Sequence, residues 1–368
     1  MTTQHIYPEH YHAELEEKAQ LLINQFGNFK LPPLQVFESP ETHYRMRAEF
    51  KIWHEDNTVH YAMFRAGEYK KPYKIEDFPV ASVQINELME ALLKALNQSQ
   101  LLKNRLFQAE FLNTLTHEMV ITLIYHTPLS DEWELEAKQL AKSLGVSIVG
   151  RSRKQKRIIG RDFVEETLHV QGRDYHYQQV EASFTQPNAK VCEKMLSWAL
   201  DCAEEGDRDM LELYCGNGNF TIPLSTKFRR VVATEVSKTS VNSAHYNLEK
   251  NGIDNVNVIR MSSEEFAEAM DGVRNFRRLA NLDLETYDFS TVLVDPPRAG
   301  LDDHTVNIVS RFERIIYISC NPNTLEHNLA MLAKTHDISK FALFDQFPYT
   351  QHVECGVLLT SKTDNIRG

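Results

Sequence analysis

Two short runs near the C-terminus carry residue types suited to covalent chemistry. Cys320 stands in Ser319-Cys320-Asn321-Pro322, directly after the apolar run Arg314–Ile318. That run is predicted to be a strand, with Asn323 and Thr324 opening a helix. A thiol at a strand's carboxyl end and a helix start is a candidate nucleophile, its pKa lowered from about 8.5. The chain has five cysteines, Cys192, Cys202, Cys215, Cys320 and Cys355. Only Cys320 combines both features outside a glycine-rich loop, and Cys215 inside that loop is its rival. The commoner fate of a free cysteine is a small core residue. Asp345 to Glu354 then precedes the apolar Val357–Leu359 and reads as a hairpin. If the strand before it runs parallel to its sheet, the strand after is antiparallel. Glu354 then starts at the same edge as Cys320. Asp345, His352 and Glu354 are the candidate bases, and each could equally be an ordinary loop residue.

Asp295-Pro296-Pro297-Arg298 follows a predicted strand at Thr291–Asp295. Two prolines cannot continue a ladder. They stiffen a loop that presents Asp295 and Arg298, either to a ligand or as a rigid turn with an ion pair. Cys215-Gly216-Asn217-Gly218-Asn219-Phe220 follows the strand Asp209–Tyr214, and Glu235 closes the next strand about 20 residues on. Glycines there allow a sharp turn and close backbone approach, and the acid can accept from both hydroxyls of a ribose. Thr221 occupies the place of the third glycine of a dinucleotide fingerprint. A pyrophosphate-bearing cofactor such as NAD, and with it a dehydrogenase, is disfavoured.

The elements that position these residues change character near residue 178. After it, the strands Asp209–Tyr214, Arg230–Glu235, Val256–Ile259, Thr291–Asp295 and Arg314–Ser319 alternate with helices. The clearest helices are Val241–Asn251, Ser263–Met270 and Asn323–Lys334. This is the pattern of a mostly parallel α/β sheet, whose ligands bind outside the carboxyl ends of its strands. Before residue 178 the chain reads as an α+β unit. A polar helix spans His10 to Phe26, strands flank Asp56–Asn57 (His43–His54 and Thr58–Arg65), and Ile85, Leu88, Met89, Leu92, Leu93 and Leu96 form one helical face. Phe107–Leu115 and Glu118–His126 read as strands and Asp131–Leu144 as a helix. The expected domains are therefore 1–177 and 178–368.

The 368 residues are 42% hydrophobic and 25% charged, ordinary globular values. No apolar run reaches the ~18 residues of a membrane span, and the N-terminus lacks a signal-peptide stretch. A cytoplasmic protein is expected. No cysteine pair has metal-ligand or iron–sulfur spacing, so no metal is expected. A net charge of −11 argues against nucleic acid as a partner, but positive charge is clustered. Arg151, Arg153, Lys154, Lys156, Arg157 and Arg161 form the densest run, which is either a solvated face or a phosphate-binding one. Arg45, Arg47 and Lys51 alternate with Tyr44, Phe50 and Trp53, which suits phosphate contact with base stacking. By the two-residue period, the three cations share a face with Trp53. Phe107 and Phe111 could equally belong to a core.

Taken together, these motifs resemble the RNA uracil-5-methyltransferase family, and within it the bacterial branch acting on tRNA. The matching segments are Phe184-Thr185-Gln186-Pro187-Asn188, Leu211–Phe220, Asp295–Leu301, Ser319–Pro322 and Phe347–Glu354. The similarity extends over the whole chain, including HYRMRAEFKIWH from His43 to His54. It implies a C-terminal Rossmann-like class I methyltransferase domain behind an N-terminal α+β RNA-binding domain. It implies S-adenosylmethionine as cofactor, contacted by Gln186, Tyr214, Asn219, Glu235 and Asp295, with Asp295 also facing the uracil. It makes Cys320 the nucleophile and Glu354 the base. The implied product is 5-methyluridine in the T-loop of tRNA, extending to the T-like loop of tmRNA, made by a monomer. A branch acting on ribosomal RNA carries an iron–sulfur cluster, and the absence of cysteines before Cys192 points to tRNA instead. A reading of another class is a tRNA-binding or tRNA-folding protein whose methylation is secondary.

Overall fold

The computed structural model describes residues 6–64 and 72–362. In chain order the elements are α1 (Tyr11–Gln25), β1 (Leu34–Phe37), β2 (Arg47–Glu55), β3 (Thr58–Phe64), β4 (Pro72–Ile75), α2 (Val83–Gln98), α3 (Gln100–Lys103), β5 (Leu106–Asn113), β6 (Met119–Tyr125), α4 (Asp131–Leu144), β7 (Ser147–Ser152), β8 (Gln155–Ile159), β9 (Phe163–Val170) and β10 (Arg173–Val180). Then follow α5 (Ala189–Cys202), β11 (Asp209–Leu213), α6 (Thr221–Leu224), β12 (Val231–Glu235), α7 (Lys238–Lys250), β13 (Val256–Arg260), α8 (Ser263–Met270), β14 (Phe289–Val294), α9 (Asp303–Val309), β15 (Arg314–Ser319), α10 (Pro322–Leu332), β16 (His336–Phe344) and β17 (Glu354–Ser361). The expected strand Thr58–Arg65 is seen to Phe64, and Arg65 lies outside the described residues.

The chain divides into two compact units. One comprises the described residues of Met1–Tyr11, Pro40–Thr167 and Gln178–Ala189, and the other those of His12–Ser39, Leu168–Tyr177 and Lys190–Gly368. This path is more interleaved than a single boundary after residue 177. His12–Ser39 joins the second unit because β1 adds in parallel to β16, from Leu34 opposite Phe341 to Phe37 opposite Phe344. Gln178–Ala189 joins the first, where the Met46 N–H donates to the Pro187 carbonyl at 2.8 Å. Neither segment carries a periodicity that announces its destination.

The first unit is built on a seven-stranded sheet in the order β4-β3-β2-β5-β6-β7-β8. Its pairings are antiparallel except β6 with β7, which the α4 crossover makes parallel. Ile85, Met89, Leu92 and Leu96 of α2 are fully buried, the 3.6-residue stripe expected for a helix lying on a sheet. Ser82 caps α2 and Ser130 caps α4, each accepting a backbone N–H in the first turn. Phe50, Tyr61, Phe78 and Phe111 form a mostly edge-on aromatic cluster in the core.

The second unit is an eight-stranded sheet in the order β1-β16-β17-β15-β14-β11-β12-β13. β13, β12, β11, β14 and β15 run parallel, and β17 is antiparallel to both its neighbours. Val292, Leu293, Val294, Ile315, Ile316, Tyr317 and Ile318 are fully buried, as strands covered on both faces must be. The chain winds outward one way from β11 through β12 to β13, and the other way through β14 to β15. The topological switch therefore falls between β11 and β14, and a ligand crevice is expected outside their carboxyl ends.

Candidate active site

At that edge, β11 ends at Leu213 and Tyr214 takes a left-handed conformation with φ 64°. Gly216 and Gly218 follow at φ 57° and 84°, values that an L side chain adopts only with strain. A Cβ on Gly216 would meet no atom within 4 Å, so the loop presents bare backbone to open space. The loop is pinned from several sides. The Asn219 carbonyl accepts from the Tyr177 hydroxyl at 3.0 Å, and the Asn217 carbonyl from the Asn247 amide at 2.9 Å. The Tyr214 and Ser263 hydroxyls are 2.5 Å apart. Glu235, the last residue of β12, accepts from the backbone N–H groups of Gly216 at 3.0 Å and Ser237 at 2.7 Å. A carboxylate has about four lone-pair sites, which leaves room for two ribose hydroxyls. Beside it lies an open hollow of about 440 Å³ lined by Val236, Arg260, Met261, Ser262, Glu265 and Arg278. Val236 is 58% exposed there, an apolar surface suited to a planar base.

The candidate nucleophile and candidate base meet one strand pair further along. Ser319 of β15 is opposite Cys355 of β17, and Phe344 of β16 is opposite Glu354. One step past Ser319 in an antiparallel pair is one step before Cys355, so Cys320 faces Glu354 across the sheet edge. The hairpin expected from the sequence is present, and Glu354 is the first residue of β17. Asp295 follows β14 directly, and the next turn closes with the Gly300 N–H on the Pro297 carbonyl at 2.8 Å. Arg298 lies 2.9 Å from His352 Nδ1, and its carbonyl accepts from the Asn321 amide at 2.9 Å. The proline loop, the Cys320 loop and the hairpin are thus tied together.

Electrostatics corrects one expectation. The Cys320 thiol is not lowered: burial, then the charges of Glu354 and Asp295, push it up to about 11 against the pull of Arg298. The helix start gives little help because α10 begins with Pro322, which has no N–H, and Asn321 already accepts from Asn323. Burial also pushes the Asp295 carboxyl well above the usual carboxylate range. Burial and the neighbouring Asp295 hold the Glu354 carboxyl well above the usual range. Of the other candidate bases, Asp345 is buried in an ion pair with Lys18 at 2.8 Å, and His352 is exposed against Arg298. Cys215 is buried, its thiol driven far up by desolvation, which removes it as a rival.

One residue escaped sequence reasoning. Glu212, inside β11, is buried with its Oε2 unpartnered, and burial followed by the charge of Asp295 raises it to about 8. Its place between two leucines of a buried strand, three residues before the glycine loop, was the available signal. Gln186 lies half-buried in the first unit, in the loop between β10 and α5. Among the described residues no group of His, Cys, Asp and Glu could hold a metal ion, and no helix is long and apolar enough to cross a membrane.

The RNA-contact candidates divide sharply. Tyr44, Phe50 and Phe111 are core, whereas Trp53 is 41% and Phe107 37% exposed. The Lys51 ammonium lies 4.1 Å from the Phe107 ring centre, and that ring stacks on His126 at 4.2 Å. The Arg47 guanidinium is committed to the carbonyls of Ser183 and Glu181, and Arg45 to that of Arg47. In the basic run, Arg151 pairs with Glu181, Lys156 with Asp162, Arg157 with Glu134 and Arg161 with Glu118. Only Arg153 and Lys154, exposed at the turn between β7 and β8, make no ion pair among the described residues. Most of that run neutralises its own unit.

The sequence model of a family described as tRNA (Uracil-5-)-methyltransferase matches residues 10–362. A Saccharophagus degradans protein named tRNA/tmRNA (uracil-C(5))-methyltransferase is 57% identical over 356 residues, covering 96% of this chain and 98% of that protein. An Acinetobacter baumannii protein of the same name is 57% identical over 354 residues, covering 95% and 98%. A crystal structure of Pyrococcus abyssi tRNA (uracil-54, C5)-methyltransferase in complex with S-adenosyl-L-homocysteine has the same fold. Its TM-score is 0.74 at 23% identity, over 95% of this chain and 83% of that one.

Proposed function

The chain belongs to the tRNA (uracil-5-)-methyltransferase family, and from that premise we infer its reaction: S-adenosylmethionine-dependent methylation of uridine C5 in tRNA and tmRNA. The uridine is that of the T-loop, which becomes ribothymidine. The enzyme works as a cytoplasmic monomer. The observation that carries the reading is the register that sets Cys320 against Glu354 beside the glycine loop. The names of the relatives favour tRNA and tmRNA over ribosomal RNA, and an opposed thiol and carboxylate favour catalysis over a purely folding role.

The residues present fit the cofactor. Gly216 leaves the backbone open to it, Gly218 makes the turn that follows, Glu235 has acceptor capacity for the ribose, and Tyr214, Asn219 and Asp295 surround the same edge. Gln186 is assigned by resemblance alone. When bound, S-adenosylmethionine supplies an electrophilic methyl group to uracil C5. The residues make that carbon reactive. The Cys320 thiolate adds to C6, and the electron pair of the C5=C6 bond moves onto C5 and O4. After methylation, the ionised Glu354 carboxylate takes the C5 proton and the Cys320–C6 bond breaks, which restores the double bond and the thiolate. The target base must leave its stack to reach Cys320. The first unit offers Trp53 and the Lys51–Phe107–His126 stack to an opened loop.

Nucleoside analysis of tRNA incubated with enzyme and labelled cofactor, with ribosomal RNA alongside, should find 5-methyluridine in tRNA only. With 5-fluorouridine-containing tRNA, wild type should give a denaturation-resistant adduct, because no C5 proton is available for release. Cys320→Ser should give none, and an adduct from that variant would show the nucleophile misassigned.

A further inference from the structure

Leu15, Lys18 and Leu22 are all buried on one side of α1, so a lysine occupies a place where packing alone calls for an apolar residue. The Lys18 ammonium donates to Asp345 Oδ1 at 2.8 Å and to the Phe347 carbonyl at 2.9 Å. Lys18 is 9% and Asp345 2% exposed. A buried pair of this kind adds little net stability, because desolvation offsets the attraction. What it does impose is geometry. Asp345 and Phe347 open the loop between β16 and β17, and Glu354 ends it. The Phe347 carbonyl also accepts from Thr350 Oγ1 at 2.8 Å, which in turn accepts from the His352 N–H at 3.2 Å. The Phe347 ring packs edge-on against His352 at 5.7 Å. The loop is folded around the point that Lys18 grips.

Two helical turns further along the same face, Gln25 donates to Asn323 Oδ1 at 2.9 Å and Glu326 Oε2 at 3.0 Å. Both acceptors are on the opening turns of α10, the helix that starts two residues after Cys320. One helix from the other end of the chain therefore holds both the loop before the base and the helix after the nucleophile.

We propose that α1 is a brace that sets the geometry between Cys320 and Glu354, with Lys18 the positioning residue for the base and Gln25 for the nucleophile. This rests on the roles given to Cys320 and Glu354 above. The two ends of the brace act on different steps. Displacing the nucleophile slows bond formation to C6, whereas displacing the base slows proton removal and release.

The test uses full-length Lys18→Met, Lys18→Met with Asp345→Leu, Lys18→Arg and Gln25→Ala with tRNA and cofactor. Lys18→Met should lower kcat by about tenfold or more, since small misplacements are costly, with KM for tRNA within about twofold. It should also accumulate a denaturation-resistant, methylated protein–RNA complex, because addition outruns release. The doubly apolar variant should regain thermal stability, as replaced buried pairs do, and keep the kcat defect. It carries the test if Lys18→Met fails to fold. Lys18→Arg should recover part of kcat. Gln25→Ala should slow adduct formation with 5-fluorouridine-containing tRNA. A doubly apolar variant with wild-type kcat and no accumulated complex would overturn the brace while wild type still methylates. Failure of wild type to methylate would remove the assigned reaction itself and the brace with it.

Discussion

Cys320, the proposed nucleophile, sits in an environment that resists its ionisation. Burial and the charges of two carboxylates push the thiol up to about 11, and burial pushes the Asp295 carboxyl up as well. The thiolate becomes more populated as pH rises. The rate of adduct formation is therefore expected to climb between pH 6 and pH 8, by roughly tenfold per unit where the thiolate limits. A flat profile would place the reactive thiol in a different ionisation state. Glu354 can be separated from it by substitution. Glu354→Gln removes the proton acceptor and leaves the nucleophile, so a methylated covalent complex should build up, visible as a shifted band under denaturing conditions. Ordinary turnover in that variant would transfer the role of base elsewhere.

Loops and strand ends decide how these residues are presented. Gly300 has φ 75°, and a Cβ there would lie 2.9 Å from both Thr324 Cβ and Asn328 Oδ1. Asn328 is the hub that ties this loop to the sheet, accepting from the Leu301 N–H at 3.0 Å and the Tyr317 hydroxyl at 2.8 Å. Gly300→Ala should cost about 1–3 kcal/mol of stability and lower kcat, because the strained loop carries Asp295 and Arg298. Retained activity and an unchanged Tm would show that the loop yields freely. In the first unit, Trp53 and Phe107 are exposed where Phe50 and Phe111 are core. Trp53→Ala or Phe107→Ala should weaken tRNA binding or turnover while sparing stability, since stacking on a base is worth about 1–3 kcal/mol. Normal tRNA affinity and turnover in either variant would remove that residue from the contact surface.

At the scale of the whole molecule, a buried acid beside the candidate site costs the protein stability. Glu212 has a folded pKa of about 8 against an ordinary 4.5, so the folded state holds a proton that the unfolded state has lost. Stability on this account is full below about pH 4.5 and falls as pH rises through 8. Glu212→Gln, neutral at every pH, should therefore raise the Tm at pH 8 more than at pH 5. At ~1.4 kcal/mol per pKa unit, the gain is of order 2–4 kcal/mol. An equal shift at both pH values would mean that Glu212 is not held neutral. No single contact explains this acid. It is the combined burial by β11 and its neighbours, with Asp295 nearby, that raises it.

Much of the framework of the candidate site was legible in the sequence because local rules govern it. Arg314–Ser319 is the predicted strand residue for residue, and Ser263–Met270 the predicted helix. Prolines after Asp295 end β14, and the glycines after Tyr214 make the turn wherever that strand lies. The family followed from such motifs in order. The tertiary structure alone decided what depends on residues far apart in the chain. β1 joins β16, Lys18 grips the loop before Glu354, and the basic run is neutralised by Glu181, Asp162, Glu134 and Glu118. The thiol that a helix start was expected to lower is raised, because the burial and carboxylates around Cys320 come from strands distant in sequence. Periodicity reports which face of an element is apolar. It does not report which partner covers that face, and pKa is set by the partner.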